Sequence, residues 1–198
     1  MNTSLQPTKL TFTIEGISPY SSSRYHGEPQ QTSEDAGHYD DRTWRDKCTY
    51  VDGKCVIPIA AFHNCLCDAA GRITSTIPGT RGQRYKGRFE QGVYFRDAPV
   101  LKNPLTLEPY TRDNIISVKL LQNSDGKRGS GTRVPRTFPI AYKWEADIEM
   151  ELLDPQLTED IVRDCVEKAG MYIGLGRWRP QNRGSNGRFQ VKKWQWPS

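Results

Sequence analysis

AYKWEADIEMELL, residues 141–153, alternates apolar and charged side chains along its length. The apolar set begins at Tyr142 and ends at Leu152, and the charged set begins at Lys143 and ends at Glu151. Successive side chains of a strand point to opposite faces of the sheet, so a period of two predicts a strand. One face of this strand should be buried, and the other should be solvated and acidic.

The flanking segments predict helices and further strands. Lys9–Ile17 alternates like a half-buried strand, and Pro58 is suited to begin a helix that ends at Gly71. Downstream, Thr158 is a good N-cap for a helix with an apolar stripe from Ile161 to Ile173. Shorter strand-like runs lie at 54–57, 89–95, 115–121 and 187–194.

Taken in order, these elements predict an α+β protein. The arrangement fits a ferredoxin-like (RRM-like) βαββαβ core, in which an antiparallel sheet carries two helices on one face and long inserted loops. The open face of that sheet would then be available for a ligand. We expect a single domain over residues 1–198, with 18–53 as a thumb-like or partly disordered insertion, because residues 18–46 are polar and lack periodicity.

Composition excludes several classes of protein. The chain has 198 residues, a formal charge of +5 and only 35% apolar residues. No stretch approaches the roughly 18 apolar residues that a membrane span needs, and the N-terminus lacks an apolar leader. These features predict a cytoplasmic protein. Its five cysteines are expected to be reduced, and a zinc site built from Cys48, Cys55, His63 and Cys65 or Cys67 is the alternative, with poor ligand spacing.

Positive charge is concentrated in three segments that contain no acidic residue, at 71–88, 126–143 and 170–198. Each segment is rich in Gly, Ser, Thr or Pro, which predicts loops that meet a polyphosphate. They hold sixteen of the 28 Lys and Arg residues and leave the remainder with a net charge of −11. Interleaved aromatic residues could stack on unpaired bases while the cations neutralise phosphates. We therefore predict a single-stranded nucleic-acid partner, bound without cofactor or metal. The predicted contact residues are Arg81, Arg84, Lys86, Arg88, Lys127, Arg128, Arg133, Arg136, Arg177, Trp178, Arg179, Arg183 and Arg188.

The segment GLGRWRPQNRGSNGRFQV, residues 174–191, is the most distinctive motif. Glycines let backbone amides approach an anion closely, although the same glycines could serve only as a structural turn. A nucleotide P-loop is excluded because no Gly-Lys-Ser/Thr follows and the loop comes after a helix. Trp178 is more typical of a packing residue than of a stacking platform.

This loop, with its Gly-Arg-Phe and final strand, resembles the signature of the RAMP superfamily, the ferredoxin-like proteins of CRISPR effector complexes. The Val56-Ile57-Pro58 helix entrance is similar to that of the members that form the backbone of those complexes. A group of small phage and mobile-element proteins shares the same layout. The resemblance implies binding of RNA, in preference to DNA, often as a repeated subunit of a homo-oligomer or a CRISPR-type complex.

Catalysis and protein binding remain alternatives. His38 with Tyr39 could act as acid and base on a ribose 2′-hydroxyl in a metal-independent endoribonuclease, and Asp40 or Asp41 could hold Mg²⁺. No motif with defined spacing supports either role, so we expect no catalysis. A phage-type decoy that binds a CRISPR effector complex, or a self-assembling structural protein, would instead use protein contacts.

Overall fold

A computed structural model describes residues 6–123 and 131–197. Its strands are β1 (Thr8–Gly16), β2 (Tyr20–Ser21), β3 (Tyr50–Val51), β4 (Lys54–Cys55), β5 (Val93–Tyr94), β6 (Ile116–Asn123), β7 (Arg133–Ala141), β8 (Glu145–Leu152) and β9 (Phe189–Gln195). Its α-helices are α1 (Ala36–Thr43), α2 (Ile59–Arg72), α3 (Lys86–Gly92) and α4 (Glu159–Lys168). A 3₁₀ turn, Trp44–Lys47, follows α1, and a π-helical turn, Ala169–Ile173, continues α4. Within the described residues, no helix is long and apolar enough to cross a membrane.

The main sheet has the order β5-β8-β1-β9, and all of its neighbouring strands are antiparallel. Helices α2 and α4 pack together: the Cys165 thiol of α4 donates to the Leu66 carbonyl of α2 at 3.4 Å. The Phe62 ring of α2 lies 6.4 Å from the Phe12 ring of β1, in the core beneath the sheet. The predicted α+β class is therefore confirmed, with helices on a strongly apolar sheet face.

A second sheet has the order β2-β7-β6. Strand β7 covers much of the basic segment 126–143, which the sequence predicted to be a loop, so that prediction is wrong over residues 133–141. The strand forms because its C-terminal half, from Thr137 to Ala141, is buried against the rest of the protein. Residues 124–130, with the predicted contacts Lys127 and Arg128, lie outside the described part of the chain.

Two further predictions need correction. The alternation at 141–153 crosses a turn: Ala141 ends β7, Tyr142 is 56% exposed, and β8 begins only at Glu145. Residues 89–95 were predicted as a strand, but Phe89 lies on helix α3. Tyr85 and Phe89 are both buried and four residues apart, a helical spacing that the short run concealed.

Residues 18–53 contain β2, α1, the 3₁₀ turn and β3. Their role as a thumb-like insertion, and the single-domain assignment, stay predictions. The five cysteines are free and buried, and no group of three His, Cys, Asp or Glu side chains that could hold a metal lies within the described ranges. Cys65 donates to the Gly174 carbonyl at 3.4 Å, whereas the Cys67 sulfur lies 3.7 Å from His63 Nε2. The two thiols of α2 thus face different surroundings.

The glycine-rich loop is fastened to β2 by backbone contacts. The Arg177 amide donates to the Ser21 carbonyl at 2.7 Å, and the Gly187 amide donates to the Pro19 carbonyl at 2.7 Å. Gly187 has a φ of +73°, and a Cβ there would lie 1.8 Å from the Leu175 carbonyl oxygen. Glycine is required at this position by both the left-handed backbone and the close approach. Because β2 pairs with β7, the loop lies beside the β7 strand.

Candidate nucleic-acid interface

An open groove of about 940 Å³ lies where the glycine-rich loop, the β6–β7 hairpin and the 18–53 segment meet. We call it the Arg177 groove. Its lining includes the basic residues Arg24, Lys47, Arg133, Arg136 and Arg177, and Asp40 is its single acidic side chain among the residues that the structure describes. Two of the three acid-free segments, far apart in the chain, therefore contribute to one surface. The further lining residues are Ser23, Tyr25, His26, Tyr39, Leu121, Gln122, Asn123, Phe138, Trp178 and Asn182.

Arg177 packs against aromatic rings inside this groove. Its guanidinium carbon lies 3.2 Å from the centre of the Phe138 ring and 4.1 Å from that of Trp178, and those two rings meet edge to face at 5.6 Å. Nη2 donates to the Gln122 side-chain oxygen at 3.2 Å, while Nη1 is buried without a partner among the described residues. Burial in these surroundings lowers the pKa of Arg177 to about 10. The side chain is thus a partly desolvated cation that the rings hold in place.

The Asp40 carboxylate neutralises part of the positive charge of the groove. This carboxylate is 3% exposed and lies 2.9 Å from Lys47 Nζ and 3.4 Å from Arg136 Nη1. Lys47 also donates to the Thr137 carbonyl at 2.7 Å, and burial lowers its pKa. These contacts tie α1 and the 3₁₀ turn to strand β7. Asp40 is therefore occupied by protein cations, while Asp41 pairs with Lys119 at 2.7 Å.

The Ser23–His26 loop brings aromatic and basic residues that the sequence analysis missed. The Arg24 amide donates to the Lys47 carbonyl at 2.9 Å, which fixes the loop beside the groove. The His26 ring stacks on the Tyr39 ring at 6.0 Å, and Tyr25 is 89% exposed. The signal was the local sequence Ser-Arg-Tyr-His within the segment predicted to be a thumb-like or partly disordered insertion.

The first basic segment lies elsewhere, and none of its predicted contacts lines the Arg177 groove. Arg88 pairs with Asp154 at 2.8 Å, Lys86 with Glu90 at 3.5 Å, and Arg84 donates to the Thr74 carbonyl. Arg84 and Arg88 line a separate cavity of about 530 Å³. Arg81 is exposed. Within the described ranges, the three basic segments therefore do not form one continuous site.

The glycine-rich loop also distributes its arginines unequally. Arg177 and Trp178 line the groove, but Arg179, Arg183 and Arg188 do not. Arg179 Nε donates to the Gln181 side chain at 2.9 Å, and Arg188 Nε donates to the Met171 carbonyl at 3.1 Å. Arg183 is exposed at the end of a short 3₁₀ turn.

The open face of the main sheet is crossed by ion pairs. Lys192 contacts Glu145 at 2.8 Å, Lys102 contacts Asp147 at 2.7 Å, and Arg96 contacts Glu151 at 2.7 Å. The acidic side chains of β8 are thereby partly neutralised by neighbouring cations. In contrast to the Arg177 groove, the cations of these three pairs are each matched by an acidic side chain among the described residues, which makes this face a weaker candidate for a polyanion than the sequence predicted.

The two residues considered for acid–base catalysis, His38 and Tyr39, contact different parts of the protein. His38 Nδ1 lies 2.7 Å from the Asp35 carboxylate on the exposed start of α1, outside the groove lining. The Tyr39 hydroxyl donates to the Glu28 carbonyl at 2.6 Å. His38 and Tyr39 therefore have different partners, and of the two only Tyr39 lines the Arg177 groove.

Comparison with known proteins gives a distant similarity in structure. No protein-family model and no curated protein matches the chain in sequence. Among solved structures, it is similar to the crystal structure of Cmr6 from Pyrococcus furiosus, with a TM-score of 0.46 and 14% identity over 94% of this chain and 99% of that chain. The Arg177 groove itself is therefore the basis for a functional proposal.

Proposed function

We propose that the protein binds single-stranded nucleic acid, with RNA preferred over DNA, in the Arg177 groove. The observation that carries this proposal is the convergence of Arg24, Lys47, Arg133, Arg136 and Arg177 on one open surface, where Asp40 is the one acidic residue in the described part of the lining. Each phosphate of a bound strand carries one negative charge, and its neutralisation releases condensed counterions. A groove with this excess of cations favours a polyanion.

The state of the acidic neighbour strengthens the electrostatic argument. Asp40 is buried and paired with Lys47 and Arg136, so it offsets one of the five positive charges and leaves a net excess of four among the described lining residues. Arg24 and Arg133 are exposed at the groove and form no ion pair with a described residue. These two guanidinium groups are free to contact phosphates without breaking an internal bond in the described structure.

The preference for RNA rests on the resemblance of the glycine-rich loop to the RAMP superfamily. That resemblance also makes further copies of this chain, or subunits of a CRISPR-type complex, candidate partners. No catalytic step is part of the proposal, because protein groups already engage the Tyr39 hydroxyl and the Asp40 carboxylate of the groove.

The test is a salt series of binding by fluorescence anisotropy. The ligands are a labelled single-stranded RNA of about 20 nucleotides, the matching DNA and the RNA duplex. We expect Arg24→Ala/Arg133→Ala to weaken RNA binding about tenfold, equivalent to about 1.4 kcal/mol. The dependence of log K on log salt should also become shallower, by about 0.7 for each phosphate that the variant no longer neutralises.

The matched control is Arg81→Ala/Lys86→Ala, which removes the same charge from exposed residues outside the groove. It should change affinity by less than about twofold. Equal losses in the two double variants would mean that general positive charge, and not the groove, binds the strand. Absence of binding by the wild type at low salt, together with salt-insensitive capture of a CRISPR effector complex, would replace the proposal with the decoy hypothesis.

A further inference from the structure

Tyr25 presents an unengaged aromatic ring at the Arg177 groove. Its side chain is 89% exposed and lines the groove between Arg24 and His26. Within residues 6–123 and 131–197 it forms no hydrogen bond, ion pair or ring contact. Scattered exposed apolar residues are common on proteins, so exposure by itself means little. The position of this ring inside a cationic groove is what distinguishes it.

The backbone that carries Tyr25 is anchored on both sides. Before it, the Arg24 amide donates to the Lys47 carbonyl at 2.9 Å. After it, the His26 ring stacks on Tyr39 with an angle of 26° between the rings, and the Tyr39 hydroxyl donates to the Glu28 carbonyl. The backbone of Tyr25 is therefore held beside the groove, which reduces the conformational entropy that the chain loses when a ligand stacks on the ring.

Two other large rings of the groove, Phe138 and Trp178, already contact other side chains. Phe138 is 7% exposed, and Trp178 packs edge to face against it while Arg177 lies over both rings. Trp178, which the sequence analysis placed among the nucleic-acid contacts, is thus part of the wall that holds Arg177. Tyr25 is the most exposed aromatic side chain of the described groove, and it has no ring or cation contact with a described residue.

We propose that Tyr25 stacks on an unpaired base and thereby restricts the groove to single strands, an inference that rests on the proposed function. Every base has an aromatic face, so such stacking tolerates any sequence. Bases inside a duplex stack on one another and present no free face to a side chain. Arg24, next in the chain, is placed to contact the phosphate of the stacked nucleotide.

The test compares Tyr25→Ala, Tyr25→Phe and the control Tyr172→Ala, a tyrosine 58% exposed outside the groove lining. The ligands are the single-stranded RNA used above and a strand of equal length and charge that lacks bases. We expect Tyr25→Ala to weaken binding of the intact RNA about tenfold, while Tyr25→Phe and Tyr172→Ala bind like wild type. On the abasic strand, wild type and Tyr25→Ala should have equal affinity, and the salt dependence should be unchanged.

Two results would overturn the stacking inference alone. One is an unchanged affinity of Tyr25→Ala for intact RNA while Arg24→Ala/Arg133→Ala binds more weakly. The other is an equal loss of affinity on intact and abasic strands, which would assign Tyr25 a role in loop structure. If Arg24→Ala/Arg133→Ala also binds like wild type, the proposed function fails and the stacking inference fails with it.

Discussion

The carboxylate of Asp40 lies 2.9 Å from the Lys47 ammonium at the base of the Arg177 groove, and both side chains are almost fully withdrawn from solvent. We predict that Asp40→Asn destabilises the protein by about 3–5 kcal/mol, because a buried ammonium loses its counter-charge. Burial lowers the pKa of Lys47 even with Asp40 present, because desolvation disfavours the charged form. Urea denaturation at neutral pH measures the loss of stability.

Asp41→Asn is the matched control on the same helix. Its ion pair with Lys119 is about half exposed, so its removal should cost about 0–1 kcal/mol. Similar losses of stability in both variants would contradict the assigned difference in burial. If either aspartate held Mg²⁺, added Mg²⁺ would raise the unfolding midpoint of wild type and leave that of the corresponding variant unchanged.

Gly187→Ala should destabilise the chain severely, by about 4 kcal/mol or more, because it combines a left-handed backbone with an atomic overlap. The added Cβ would lie 1.8 Å from the Leu175 carbonyl oxygen, in the backbone ladder that fastens the glycine-rich loop. Thermal unfolding with a parallel circular dichroism spectrum measures the effect.

Gly82→Ala separates the two causes. Gly82 has a φ of +74°, close to that of Gly187, but a Cβ there would meet nothing within 4 Å. Only the backbone cost of about 1–2 kcal/mol should appear. A Gly187→Ala variant no less stable than Gly82→Ala would mean that the loop shifts freely and does not position Arg177.

Asp147 predicts an acid-dependent loss of stability. Its pKa is lowered first by the hydrogen bond from Lys102, with a second hydrogen bond from Thr13. A carboxyl with a depressed folded-state pKa stabilises the protein above its unfolded-state pKa of about 3.9, and this stabilisation is lost as pH falls through the folded-state pKa. Urea midpoints of wild type and Asp147→Asn should therefore differ at pH 7 and converge in the range below about pH 4. A difference that does not vary with pH would show that Asp147 does not act through its charge.

Local pattern predicted the main sheet well because burial on one face imposes a period of two. Strands β1, β8 and β9 and helices α2 and α4 were all predicted, and their apolar positions form the core. Helix α3 was missed, since seven residues hold barely two turns and Phe89 could equally be a strand residue. Strand β7 was missed because its Arg and Pro residues indicate a loop.

The candidate interface could be predicted only in part. The charge pattern selected Arg133, Arg136, Arg177 and Trp178, all of which line the Arg177 groove. The same pattern selected Arg84 and Arg88, which the fold places at another cavity. Composition tells how many cations a segment has, but whether they act together depends on which segments the chain brings into contact.

The sequence by itself determined the α+β class, the buried faces of the sheet and the excess of cations in acid-free segments, because these follow from side-chain period and composition over neighbouring residues. Only the tertiary structure decided which cations share a groove, that Asp40 is neutralised by Lys47, and that Trp178 packs against Phe138 and Arg177 while Tyr25 stays exposed. Those relations join residues far apart in the chain, and packing of β2 against β7 and of the glycine-rich loop on β2 sets their distances.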